Sequence, residues 1–305
     1  MYIFERFRWV YLFFIMLTSW MLYHYYLADV RLSLIFLFSF LPTIIYIGIA
    51  RQSDVGVKEP RGAITWGVLI GMILIYPAIY LEQTLFPIIA TRLGVSASNV
   101  AFESAIYFAV FNFLVVAPVE ELLKFTGFIF STRFHKESDL PSDYIIYMIA
   151  VSGGFAIYEN LVYLLAFAMG NSLPIDRVYA WFLDENAILS LFDFTVGFYI
   201  IILRNVAAVP LHLGVGVLMG TRYAKFLKGR SLGVSKAGQV FSLIGMILLP
   251  ILIHGVYNTF SIVLSIYFGD VVAIVFSVSF VVILNIIAWK QAIGLRDIVK
   301  ENFLT

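Results

Sequence analysis

Apolar residues run through this chain in long blocks parted by short polar stretches. Blocks long enough to cross a bilayer lie near residues 9–28, 32–50, 63–82, 104–130, 144–169, 205–222, 238–267 and 271–290; a helical crossing takes about 20 residues. A ninth stretch, 187–203, is short and carries Asp193. No ten-residue alternation of the outer-membrane barrel kind is present. The pattern predicts an all-α membrane protein: a polytopic bundle of about eight transmembrane helices, with an extra outer-side or re-entrant segment near 187–203. The longest polar linkers, 51–62, 131–143, 170–186 and 223–237, are loops of one domain rather than domain boundaries. Residues 1–305 therefore form a single integral membrane domain.

Charge sets the expected orientation. Lys and Arg collect on the cytoplasmic side. Arg6 and Arg8 precede the first block, and Arg222, Lys225, Lys228, Arg230 and Lys236 form the densest positive loop. Both fall inside, together with the Lys290, Arg296 and Lys300 tail, if 187–203 does not fully cross. The expectation is a multi-pass protein of the cell membrane with cytoplasmic N- and C-termini. Composition agrees: 62% of residues are hydrophobic and 13% charged, against about 25% charged in soluble domains. A net charge of +1 gives no reason to expect nucleic acid as a partner. With no cysteine there is no disulfide and no thiolate metal site, which leaves imidazole and carboxylate as the strong ligands.

Against this apolar background the ionisable residues within spans are few: His24, Glu120, Glu121, Lys124, Glu159, His212 and His254. One ionised carboxylate at a helix centre costs roughly 2.5–3.5 kcal/mol on insertion scales, so two adjacent ones are not there for packing. Helical rise puts Glu120 and Glu121 about 14–15 Å from the cytoplasmic ends of their spans, His212 about 15 Å, Glu159 about 22 Å and His254 about 24 Å. All five lie within a core about 30 Å thick. Glu120 and Lys124 are spaced i, i+4 and share a helix face, and His254 and Asn258 repeat that spacing. Glu120 and Glu121 point about 100° apart, so one can face a reaction centre while the other supports it. Pro118, just before them, frees a backbone carbonyl one turn earlier.

Carboxylates and imidazoles at one depth fit a hydrolytic site. A carboxylate can act as general base toward water. The Glu and His side chains could instead hold Zn²⁺ with an open position for water, and His254 with Asn258 could donate hydrogen bonds to an oxyanion. The plainer readings are an ion pair of Glu120 and Glu121 with Lys124, and interhelical hydrogen bonds for Glu159, His254 and Asn258. His212 shares its helix with Gly216 and Gly220, a spacing that also serves tight packing.

In sequence order these residues resemble the PrsW family of intramembrane proteases, relatives of the CAAX prenyl endopeptidases and the bacteriocin-processing membrane proteases. Glu120, Glu121 and Lys124 match Glu-Glu-x-x-Lys; Phe155 and Glu159 match Phe-x-x-x-Glu; Arg204, Pro210 and His212 match the third motif; and His254 with Asn258 matches His-x-x-x-Asp/Asn. Residues 103–267 are then the catalytic helix core. Residues 1–100 are peripheral N-terminal helices without motifs, and 271–305 are the last helix and tail. The insert at 170–203 is longer than in the short bacterial members. The resemblance implies hydrolysis of a peptide bond in a membrane-embedded protein substrate, in bacteria a membrane-spanning anti-sigma factor. It implies that Glu120 and Glu121 activate water or bind metal. Glu159 and His212 are implied ligands or second bases, and His254 with Asn258 steady the intermediate or complete the ligand set. If zinc is used, its implied ligands are Glu121, Glu159, His212 and His254. The main rival is a proton- or cation-coupled transporter using the same groups; a scaffold without activity is the other.

Overall fold

The structure, a computed structural model, describes residues 30–52, 59–95, 101–133, 140, 143–168, 202–231, 233 and 235–303. The predicted 9–28 span, His24 and all but the last two residues of the 187–203 segment lie outside them. Every regular element among the described residues is helical. In chain order these are α1 (Val30–Gln52), α2 (Arg61–Leu93), α3 (Ala101–Phe111), α4 (Ala117–Arg133), α5 (Asp143–Ala168), α6 (Val209–Ser231), α7 (Lys236–Phe268) and α8 (Asp270–Phe303). Two single π-turns interrupt the pattern: Asn112–Val116 joins α3 to α4, and Arg204–Ala208 leads into α6.

Local chemistry accounts for the ends. Ser235 caps α7, its hydroxyl accepting from the Gly238 amide at 3.2 Å. Gly94, at φ +67°, closes α2 in the left-handed conformation that a side chain disfavours, and the Val95 amide donates back to the Ala90 carbonyl. Gly269 alone separates α7 from α8, at φ +85°, so these helices form a tight antiparallel pair.

Five helical stretches are long and apolar enough to cross a membrane: Arg61–Leu93, Glu103–Arg133, Asp143–Tyr163, Lys236–Phe268 and Asp270–Leu295. Phe40–Arg51 is a shorter apolar helix. The predicted 205–222 span does form a helix, but α6 gathers Arg222, Lys225, Lys228 and Arg230 toward its end and does not join the five. It is instead enclosed by protein, with Leu211 to Thr221 buried without a break. The surface runs the other way: Phe241 and Ile244 on α7, and Val271, Val275 and Ile283 on α8, are exposed. Apolar faces of this extent on a soluble monomer are rare; here they face lipid.

Glycines let the central helices touch. A Cβ on Gly154 of α5 would collide with the Val68 carbonyl of α2, and one on Gly71 of α2 with the Val151 carbonyl of α5. On its other side α5 receives α6 at Gly216 and Gly220, where added Cβ atoms would lie 2.7 Å from Ser152 Oγ and 2.8 Å from Ile145 Cα. Small residues at such crossings allow the close backbone approach that drives helix association in lipid. Gly154→Leu is therefore expected to separate α2 from α5 and to lower the thermal midpoint in detergent by several degrees. Gly48→Leu, where a Cβ meets nothing within 4 Å, serves as the neutral comparison.

Candidate active site

The centre of the bundle is polar. Pro118 on α4 and Pro210 on α6 each follow a π-turn by one intervening residue. Proline has no N–H to give the carbonyl four residues back, and its ring crowds that carbonyl. The wider turn relieves the crowding: the Ala117 amide bonds the Asn112 carbonyl and the Val209 amide bonds the Arg204 carbonyl, both five residues back. The extra residue resets the helix register just before Glu120 and just before His212. On α6 the carbonyl of Pro210 accepts from Asn285 Nδ2 of α8 at 3.0 Å, which pins the segment that carries His212.

Lys124 lies fully buried at the middle, its Nζ 3.0 Å from Glu120 Oε2, 2.9 Å from Glu121 Oε1 and 2.7 Å from His212 Nδ1. It also sits 4.4 Å above the Phe155 ring, a cation–π contact that helps hold a desolvated ammonium. The hydrogen-bond partners assign the imidazole tautomers. Lys124 donates to His212 Nδ1, so the His212 proton is on Nε2, which lies 2.7 Å from Glu159 Oε2. Nδ1–H of His254 donates to Glu121 Oε1 at 2.8 Å. The free lone pair of His254 Nε2 therefore looks toward Glu120 Oε2, 4.0 Å away.

A second cation closes the network. Arg204 meets Glu159 Oε2 at 3.0 Å, donates from Nε to Asn160 Oδ1 at 2.7 Å and stacks 3.8 Å from the Tyr163 ring centroid. Three carboxylates thus share two cations, each with an opposite charge within 3.0 Å, as buried charge in a low-dielectric interior requires.

A cavity of about 450 Å³ opens beside this cluster, lined among others by Glu120, Glu159, Arg204, His212, His254 and Asn258. Glu121 and Lys124 are not among its lining residues; they stand behind Glu120 and His254. The structure therefore brings Glu120, Glu121, Lys124, Glu159, His212 and His254 into one connected set, with Asn258 on the cavity wall. Three further residues border the cavity or anchor the set without having been singled out from the sequence. Glu82 lines the cavity from α2; the apolar block ends there, but the helix runs on to Leu93. Asn112 lines it from the first π-turn, and Asn285 holds α6 from outside.

Glu120, Glu121, His212 and His254 each offer one donor atom within 4.8 Å of one another. Two carboxylates and two imidazoles are a donor set that zinc accepts, and buried Glu121 Oε2 has no hydrogen-bond partner. The site thus fits a divalent metal. Glu159 faces the His212 ring nitrogen away from Lys124, 2.7 Å off, and is not one of the four. Lys124 Nζ already bonds Glu120, Glu121 and His212, three of these four residues, so the ammonium and a metal ion compete for the same side chains.

A multi-pass helical membrane protein with a buried carboxylate–imidazole centre beside a cavity is the class that this fold and site define. The model of a family described as PrsW family intramembrane metalloprotease matches residues 59–287, and the chain belongs to that family. Among curated relatives, a protease PrsW of Geobacillus kaustophilus is 28% identical over 200 residues, covering 66% of this chain and 67% of the relative. A protease PrsW of Oceanobacillus iheyensis is 25% identical over 202 residues, 66% of this chain and 71% of its own length. No solved structure matches the chain. The protein is an intramembrane protease; the comparisons do not favour a transporter.

Proposed function

We propose that the chain is an endopeptidase that cuts a membrane-embedded protein, an anti-sigma-factor-like single-pass protein being the substrate class the sequence resemblance implies, with Glu120 as the general base. The observation that carries this is the placement of Glu120: it is the member of the carboxylate pair that lines the cavity, while its partner is held behind it. Glu120 takes a proton from a water in the cavity, and the hydroxide adds to the scissile carbonyl carbon. The Asn258 amide donates to the resulting oxyanion. As the C–N bond breaks, Glu120 returns the proton to the leaving amine. Lys124 donates to Glu120 and holds its carboxylate in place; Glu121 orients the His254 ring, and Arg204 holds Glu159 against the His212 ring.

Where a zinc ion is bound, Glu121, His212 and His254 would hold it and leave Glu120 free as the base, and it would supply Lewis acidity toward the carbonyl and a more acidic water. The wider arrangement belongs to the same proposal. About eight spans cross the membrane with both termini cytoplasmic, residues 103–267 form the catalytic core, and the 170–203 segment lies at the outer side or re-enters.

The test is cleavage, by the pure chain in proteoliposomes, of a single-pass apolar reporter helix with a small-residue, helix-weakening centre. Products are read by mass spectrometry before and after a strong chelator. The expected result is one cut within the membrane-embedded segment, lost together with about one zinc per chain and restored by added Zn²⁺. Full activity in metal-free protein would leave water activation to Glu120 alone. No cleavage by the untreated or zinc-supplemented protein would remove the proposal.

A further inference from the structure

A transmembrane helix satisfies its own backbone, so a protease that cuts one must unwind it and then receive the freed amides and carbonyls in a site that excludes most water. The polar groups lining the cavity are mostly spoken for. Glu120, Glu159, His212 and Arg204 are paired with each other or with neighbours. Ser261 and Ser277 bond each other, and Asp270 accepts from Ser265.

Asn112 is different. It lines the cavity at 3% exposure, and its Nδ2 has no acceptor among the described residues. An unmet buried donor costs about 1–3 kcal/mol. It is also placed with care. Asn112 opens the first π-turn, and single π-turns concentrate at functional sites. The turn is clamped from α7: a Cβ on Gly255, beside His254, would meet the Phe113 ring at 2.6 Å.

Position decides the role. Asn112 is eight residues ahead of Glu120, about 12 Å along the helix axis at 1.5 Å per residue. That is too far to touch the reacting carbonyl. An extended chain laid along the helix rises about 3.3 Å per residue, so Asn112 stands beside the substrate residue three or four places from the cleaved bond.

We propose that Asn112 is a substrate-binding residue whose side-chain amide donates to a main-chain carbonyl of the unwound substrate, three or four residues from the scissile bond. The inference rests on the endopeptidase reading and adds a subsite to it. Because it reads backbone, the contact is indifferent to side chain and rewards length of unwound chain.

The test compares two peptides: the reporter helix above, with its cut located on the wild type, and a version truncated to two residues on each side of that bond. For Asn112→Leu, kcat/KM on the long reporter is expected to fall about tenfold, chiefly through KM, with the truncated peptide turned over as by wild type. Asn112→Asp, which keeps the shape but removes the donor, should lose the same length preference. Unchanged turnover of the short peptide doubles as the check that the site is folded. Equal losses on both peptides, or none on either, would overturn the inference while leaving the protease reading intact. A wild type that cuts neither peptide removes both.

Discussion

Glu120→Gln is expected to lower turnover of a membrane-embedded reporter by about 10²–10⁴-fold, the usual contribution of a positioned general base, while the protein folds and melts as the wild type does. The substitution is nearly isosteric. Its amide oxygen still accepts from Lys124 Nζ, which keeps its bonds to Glu121 and His212 at 2.9 and 2.7 Å. Charge balance also tolerates the change. With neutral imidazoles the cluster holds Glu120, Glu121 and Glu159 against Lys124 and Arg204, and removing one negative charge leaves a neutral set. What the variant cannot do is accept a proton from water. Thermal midpoint in detergent and single-turnover cleavage, measured on the same preparation, separate the two outcomes. Wild-type turnover in this variant would move the base to another group and undo the proposed chemistry.

Lys124→Met is expected to be the most destabilising single change in the site. The ammonium is 0% exposed and is, among the described residues, the one cation touching Glu120, Glu121 and His212 together. Methionine matches its length and keeps the contact over Phe155, so the loss is charge rather than volume. Removing one partner of a buried ion pair costs about 3–5 kcal/mol, because the remaining charge stays desolvated. Here two carboxylates are stranded side by side. A large fall in the thermal midpoint is expected, and adding Glu120→Gln should recover part of it, since the double variant buries one charge fewer. That recovery is a coupling only neighbours show. A midpoint equal to wild type for Lys124→Met would mean that Lys124 does not neutralise the pair.

The polar outliers were legible because lipid makes them conspicuous. Glu120, Glu121, Lys124, Glu159, His212 and His254 stand out in a chain with 13% charged residues. Their spacing was legible too: i, i+4 on a helix puts Lys124 over Glu120 whatever surrounds it. Pro118 and Pro210 were visible, but not the π-turns ahead of them. A proline marks a carbonyl without a partner and leaves open whether the helix kinks, breaks or widens. The role of Arg204 was hidden for a related reason. From sequence it opens an apolar run, a common place for a basic residue facing headgroups, whereas the fold turns it inward onto Glu159 and Asn160.

Glu82 and Asn112 show a second kind of blindness. Glu82 closes the apolar block in α2 and reads as the edge of a span, yet the helix continues for eleven residues past it, to Leu93. Asn112 is uncharged and costs little to bury in a bonded state, so nothing in a hydropathy pattern flags it. Only the three-dimensional arrangement shows that its donor is unmet and beside a cavity. In the same way 205–222 reads as one more apolar span, and nothing in it shows that α6, which carries His212, is enclosed by protein. Its enclosure by α5, α7 and α8 comes from Gly216 and Gly220 on one side and Asn285 on the other.

By itself the sequence determined that the chain is helical and belongs in a membrane, and which few ionisable residues lie at depth. These follow from transfer free energies and from a helical period that each segment carries alone. The tertiary structure decided which carboxylate faces the cavity, which cation stands between the donors, which tautomer each imidazole adopts and where an amide is left without a partner. Those depend on the rotation of each helix about its axis and on contacts between helices far apart in the chain, and a one-dimensional pattern does not contain either.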